Sequence, residues 1–510
     1  MTTDFERPAK REMPEWKIRK SKQKRELMIV KCKQTWEQAR VGHLSEKERR
    51  PLIDLLMSQI TGHIEEVVFK HDASRMVQCC IKYGTPTDIK KIHEELTPRM
   101  LDLIKSTYGK YIVLALLNHL KSSRADIFEL CKGRVEELLR NKDSAYLIEV
   151  IYHSYATPKQ KKTMVSEMYC VQVKKSAQYA GMTLIKIIET TPSLKEIVKS
   201  HMKKLLFKLV QKGGLGDMTI ILRALWEYLS IFDDADFVEM LQEQVIEFLH
   251  HKDGMCIANY IIRKASAKNR KIILKAFKPH LLKVWKEEYG HLVLISAFNC
   301  VDDTKMMQKN LITDIAVNVE GLDLLNCKYS RRTVSYLLTH SNKMVPNNYA
   351  VMLQEDEKLS LETSKKEPAI RFTELKEACE VEFMKFIIDN MLQFLVGEGI
   401  DLIESLIIFG SEDISAKVLK KMSECLTADL SLLENNKFGK SISRILKSDR
   451  KGAMVETILP FMLSNLETLS NSDAKYVLSA IAKENQDVIK QLQSIEGLDM
   501  TFWGKVINKS

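Results

Sequence analysis

A phrase that returns about every 35 to 40 residues constrains this chain more than any other feature of it. It reads HDASRMVQCCIKYG from His71, STYGKYIVLALLNHL from Ser106, KDSAYLIEVIYHSY from Lys142 and HKDGMCIANYIIRK from His251. It returns as EEYGHLVLISAFNC from Glu287, CKYSRRTVSYLLTH from Cys327, NKFGKSISRILKS from Asn436 and NSDAKYVLSAIAK from Asn471. Each copy has a polar or Gly-containing lead-in followed by apolar residues at helical spacing. A fixed period of this length belongs to one supersecondary unit stacked many times, each copy packing on its neighbours. The expected product is an all-α solenoid with a long exposed face and no enclosed catalytic pocket.

The second helix of each unit is placed by its cap. Thr85-Pro86, Ser122-Ser123, Thr157-Pro158 and Thr191-Pro192 each follow a copy of the phrase. A Thr or Ser side chain accepts a bond from a free helical N–H, and Pro suits the first helical position. These caps repeat the same period independently. The stretch 88–104 is then expected to be one amphipathic helix, and the apolar series from Leu52 predicts a helix, a break near Gly62 and another helix. Only 19 Gly and 11 Pro occur in 510 residues, which favours helices over the turn-rich strands of a sandwich or barrel.

Four segments are expected: a disordered basic tail over 1–27, repeats over 28–340, a charged loop over 341–372 and further repeats over 373–510. KIRKSKQKR (17–25) in the tail has the composition of a nuclear-import signal. The ten cysteines form no CxxC, and no His stands at ligand spacing beside them, so neither metal nor cofactor is expected. Cys79, Cys80 and Cys300 fall in or at the end of apolar runs and are expected to be small buried hydrophobes, which suits a reducing compartment. No apolar run reaches the ~18 residues of a membrane span, so an intracellular, soluble chain without a membrane partner is expected.

The formal net charge is +11, and the excess is clustered. Arg263, Lys264, Lys268, Arg270 and Lys271 begin a run that meets no acid until Glu287, and Lys195 to Lys212 form another cluster. Clustered cations attract polyanions, nucleic acid first. An enzyme is not expected: KGGLGD (212–217) lacks the order of a phosphate-binding loop and reads as a turn, and the adjacent His250 and His251 do not suit a shared metal.

The phrase at His71 to Gly84 resembles a Pumilio (Puf) repeat. In that family one helix of each repeat carries a five-residue base reader. The first and fifth residues bond a base edge, and the second stacks between bases. Ser74, Arg75 and Gln78 match the Ser-Arg-x-x-Gln pattern associated with adenine. On the same register the other copies depart from it. They give Lys110, Tyr111, Leu114; Ala145, Tyr146, Glu149; Gly181, Met182, Ile185; Asp217, Met218, Ile221; and Met255, Cys256, Asn259. Then come His291, Leu292, Ile295; Arg331, Arg332, Ser335; Ile400, Asp401, Glu404; Lys440, Ser441, Arg444; and Lys475, Tyr476, Ser479. Aliphatic side chains cannot read a base edge, and only Arg75, Tyr111, Tyr146, Arg332 and Tyr476 stack well. Cations at Lys110, Arg331, Arg332, Lys440, Arg444 and Lys475 favour phosphate contacts, which carry no sequence information.

This combination, the run EEYGHLVLISAFNCVDDTK (287–305) and the lead-in PEWKIRKSKQKREL resemble the divergent Puf-A/Penguin branch of the family. The resemblance implies a right-handed α-helical solenoid of about eleven Puf repeats, curved or L-shaped, in two blocks. It also implies a nucleolar, nuclear, monomeric protein that binds RNA, pre-rRNA above all, with little sequence preference. DNA and mRNA are further ligands of the branch, which acts in large-subunit ribosome biogenesis beside assembly factors. Two readings compete with it. One is a sequence-specific mRNA regulator, which needs most repeats to discriminate bases. The other is a protein-binding scaffold of HEAT or armadillo type, in which Leu114, Ile185 and Ile295 are merely core.

Overall fold

In the computed structural model, residues 29–341, 345–347, 349–351, 353, 365–472, 474–483, 485–495 and 500–507 are described. The basic tail and most of 342–364 lie outside them. Every regular element among the described residues is a helix. Eleven helices carry or immediately follow the phrase. They are α1 (His71–Tyr83), α2 (Gly109–His119), α3 (Lys142–Val150), α4 (Leu184–Thr190), α5 (Thr219–Leu229) and α6 (Lys252–Lys264). The others are α7 (Gly290–Cys300), α8 (Lys328–Thr339), α9 (Ile400–Phe409), α10 (Asn436–Ile445) and α11 (Lys475–Ala482). The chain divides into two compact units, Met1–Phe232 and Asp233–Ser510, so the division falls within the first expected block of repeats and not at 341–372. Residues Pro368–Glu377 are already helical, so the end of the expected loop belongs to the next repeat.

Several units of the stack contain one helix more than the caps suggest. The stretch 88–104 is not continuous: a helix ends at Leu96, a 3-10 turn spans Thr97–Arg99, and a short helix covers Met100–Ile104. Pro98 has no N–H to donate and its ring clashes with the preceding turn, which breaks the helix there. The short third helix recurs at Val135–Arg140, Leu281–Lys286, Met391–Val396 and Leu466–Ser470, each time just before the next phrase.

That third helix explains the small residue that opens the phrase. A Cβ at Gly254 would meet the Phe248 carbonyl oxygen at 2.0 Å, and one at Gly290 would meet that of Val284 at 2.9 Å. Ala73, Ser144 and Ser330 hold the same register, and Ser144 Oγ donates to Leu138 O at 2.6 Å. The lead-in is therefore a packing requirement between consecutive helices.

Two of the four expected caps form. Thr85 and Thr157 each accept from the third helical N–H, with Asp88 and Gln160 bonding back. Ser122 makes no side-chain cap; Ser123 turns inward and donates to Leu116 O and Leu120 O. Thr191 opens only a 3-10 turn. Ser45, Ser266 and Ser411 cap helices at the same register without a following Pro.

Charged side chains also tie the turns together. Arg124 Nε donates to Leu117 O, while Arg49 donates to Ala39 O and Val41 O, satisfying carbonyls that a helix end leaves open. Glu95 accepts from Gly62 N and Ile64 N, and Glu167 from Gly133 N and Val135 N. Gly62 (φ +84°) and Gly133 (φ +75°) occupy the left-handed region that this turn needs. The break expected near Gly62 thus has a repeated structural cause.

Candidate nucleic-acid interface

In the first unit, α1, α2 and α3 pack in succession and present Arg75, Tyr111 and Tyr146 outward. Tyr111 and Tyr146 are about half exposed. Beneath them, Lys110 is held on every side. Its Nζ lies 2.8 Å from Asp143 Oδ1 and 5.2 and 5.4 Å from the ring centroids of Tyr111 and Tyr146. The bond from Lys110 holds the Asp143 carboxyl below its usual range. Lys110 was expected to meet phosphate; it is mostly buried and neutralised, and it orients the two rings instead. Arg75 is exposed, with its guanidinium 5.6 Å from the ring of the buried Trp36.

The expected edge readers are turned inward. Ser74 is 1% exposed and donates to Tyr108 O, while Gln78 Nε2 donates to Ser74 Oγ at 3.0 Å. Glu149 is buried and accepts from Thr219 Oγ1 and from Ile220 N, so it caps the start of α5. Burial raises its pKa. In the next two copies the register slips altogether. Gly181, Met182, Asp217 and Met218 precede α4 and α5 and stand on neither helix, while Ile185, expected as core, is exposed.

The second unit uses the same register differently. Met255, Cys256 and Asn259 of α6 are buried, and Asn259 Nδ2 contacts Met255 Sδ. His291 has no exposed surface; its Nδ1 lies 2.9 Å from Glu287 O and its Nε2 lies 3.0 Å from Arg332 Nη1. Those partners suit a neutral ring that donates through Nδ1 and accepts through Nε2, and burial lowers its pKa to about 3. Arg331 is buried and donates to Leu324 O and Leu325 O. Arg332 is half buried against His291. Arg270 is buried and donates to Ile262 O and Arg263 O, closing the end of α6. Asn259, His291, Arg270 and Arg331 are therefore internal ties and not ligand contacts.

Along the basic run Lys268, Lys271, Lys275 and Lys286 face outward, while Lys264 is paired to Asp233 at 2.8 Å, Lys278 to Asp314 at 3.1 Å and Lys283 to Glu287 at 3.5 Å, and Arg263 lies over Tyr260. Near the C-terminus, Lys440 is exposed and Tyr476 is half exposed, with Lys475 Nζ 5.7 Å from the Tyr476 ring and 5.3 Å from that of Phe502. Arg444 differs from its neighbours. Its guanidinium makes two bonds to Glu404, at 2.6 and 2.5 Å, and this neutralises it. Lys447 and Lys483, which line the same cavity as Lys440 and Tyr476, were missed by the five-residue register. Each stands seven residues after a register residue, Lys440 or Tyr476, and that spacing was the available signal.

Cys79, Cys80 and Cys300 are buried as expected. The His250 and His251 rings lie 4.1 Å apart outside any helix, closer than expected, yet no group of three potential metal ligands occurs among the described residues. No helix among them is long and apolar enough to cross a membrane.

Comparison with known proteins agrees with this architecture. The CPL (NUC119) domain model matches residues 326–448. Pumilio homolog 3 of Homo sapiens is 30% identical over 344 residues, covering 64% of this chain and 52% of that protein. Pumilio homology domain family member 6 of Saccharomyces cerevisiae is 29% identical over 371 residues, covering 70% of this chain and 56% of that one. The matched residues thus span little more than half the length of these relatives. The crystal structure of human Puf-A superposes with a TM-score of 0.79 at 24% identity, covering 94% of this chain and 95% of that one. The structure of human Puf-A in complex with DNA superposes at 0.80.

Proposed function

We propose that this chain, similar in sequence to Pumilio homolog 3 and in architecture to Puf-A, is a Pumilio-repeat protein of the Puf-A type that binds nucleic acid through stacking and phosphate contacts with little regard to sequence. The row of Arg75, Tyr111 and Tyr146 on consecutive helices carries this reading. Unstacked bases settle on aromatic faces and guanidinium planes, and every base has such a face to offer. Edge reading needs free polar groups at the first and fifth positions. Ser74 and Glu149 are committed to internal bonds there, Gln78 spends one amide N–H on Ser74, and Leu114 has no polar group to offer. This weighs against a sequence-specific mRNA regulator. Human Puf-A has been crystallised with DNA, which supports nucleic acid as the partner class here.

The finer assignment is that the ligand is pre-rRNA and that the protein acts as a non-enzymatic, monomeric factor in nucleolar assembly of the large ribosomal subunit. It rests on the resemblance carried by residues 287–305 and on the charge of +11. The test is binding of the purified chain to several unrelated RNAs, single-stranded DNA and duplex DNA across a salt titration. Similar affinities with one shared, steep salt dependence are expected. One RNA bound orders of magnitude tighter at fixed salt would overturn the low-specificity reading.

A further inference from the structure

Between α10 and α11 lies a cavity of about 330 Å3, at the small end of the range of ligand sites. Lys440, Ser443 and Lys447 line one side; Tyr476, Ser479 and Lys483 line the other. No carboxylate lines it, and none of the three lysines makes an ion pair among the described residues. The nearby Arg444, by contrast, is neutralised by Glu404. Three ammonium groups around one small cavity repel one another, and an anion between them relieves that repulsion.

The remaining lining groups restrict which anion fits. Tyr476 supplies a half-exposed ring of the size of a base. Ser479 Oγ donates its proton to Tyr476 O at 2.9 Å, which leaves its lone pairs to accept. A ligand that donates there gains a bond. A ribose 2′-hydroxyl can donate; deoxyribose has no such group.

We propose that this cavity holds one nucleotide of an RNA strand, with its base on Tyr476, its flanking phosphates on Lys440, Lys447 and Lys483, and its 2′-hydroxyl donating to Ser479. The proposal rests on the nucleic-acid reading above and adds to it a preference for RNA over DNA located in one place.

The test compares the full chain with Ser479→Ala, Tyr476→Ala and the double variant Lys447→Gln/Lys483→Gln. The probes are one short mixed-sequence strand made as labelled RNA and as labelled DNA, titrated across salt. The unaltered protein should bind the RNA form about 3- to 10-fold tighter, the value of one added hydrogen bond. Ser479→Ala should weaken RNA alone and bring the two forms level. Tyr476→Ala should weaken both by about 5- to 150-fold. The double lysine variant should lower the salt slope by about 1.4, the share of two cations on a single strand. If these variants bind as the unaltered protein does while Tyr111→Ala weakens binding, the pocket is refuted and the wider reading stands. If Ser479→Ala weakens both strands equally, the 2′-hydroxyl contact is refuted. If the unaltered protein binds neither strand at low salt, the nucleic-acid reading itself fails.

Discussion

The first three repeats and the repeats of α6, α7 and α8 carry one phrase and put it to opposite uses. In α1 to α3 the second register position is an outward Arg75, Tyr111 or Tyr146. In α6 and α7 it is a buried Cys256 or Leu292, and α7 has no exposed residue along its whole length. The first position shows the same contrast. Lys110, held by Asp143, lies against two exposed rings, whereas His291 bonds Glu287 O and Arg332, and Arg331 donates to Leu324 O and Leu325 O. A polar or charged residue at a register position therefore marks a ligand contact only where the repeat leaves that position open. Where the face is covered, the same residue becomes a hydrogen-bonding tie, because a buried polar group without a partner is costly.

The contrast is broken most directly at Arg331. Removing its side chain leaves two inward carbonyls without their donor, and Arg331→Ala should lower stability by about 3 kcal/mol while the folded variant still binds RNA normally. Thermal melts beside binding isotherms read both effects. A variant that melts normally but binds weakly would place Arg331 back among the phosphate contacts.

Tyr111→Ala and Tyr146→Ala should do the reverse. Each is expected to cost about 1–3 kcal/mol of affinity for any single strand, since stacking is tolerant of sequence, with little change in melting. Leu292→Ala in the covered region should destabilise the fold and leave the affinity of the folded protein alone.

Acid sharpens the comparison through His291 and His340. Burial depresses their folded pKa values to about 3 and about 4, below the unfolded value of 6.5. A depressed base contributes stability that is full above the unfolded pKa and lost as pH falls towards the folded one. Stability should therefore decline as pH drops from 6.5 towards 4. His291→Gln should flatten that decline, as followed by urea melts at stepped pH. An undiminished acid loss in the variant would show that His291 is already protonated in the folded protein.

The smallest effect separates two neighbours. Lys440→Gln should lower the salt slope by about 0.7, and Arg444→Gln should leave it nearly unchanged because Glu404 already neutralises that guanidinium. Equal slopes for the two variants would mean that Glu404 releases Arg444 when nucleic acid arrives.

The sequence by itself determined the repeat, its helical class and the phrase helices, because periodicity is local and each unit obeys the same packing rule. It also named Arg75, Tyr111, Tyr146, Arg332 and Tyr476 as the register residues with the chemistry to stack on a base. The third helix escaped it, although Pro98 gave a visible break. Only the tertiary structure decided which register residues face outward. Ser74, Glu149, Asn259, Arg270, His291 and Arg331 have the chemistry of ligand contacts, and their burial assigns that chemistry to the protein's own backbone and side chains. Burial depends on what lies across from a helix, at positions about 35 or more residues away in the chain, and no local pattern encodes that distance. For the same reason Lys447 and Lys483 joined Tyr476 only when two helices from different repeats were brought face to face.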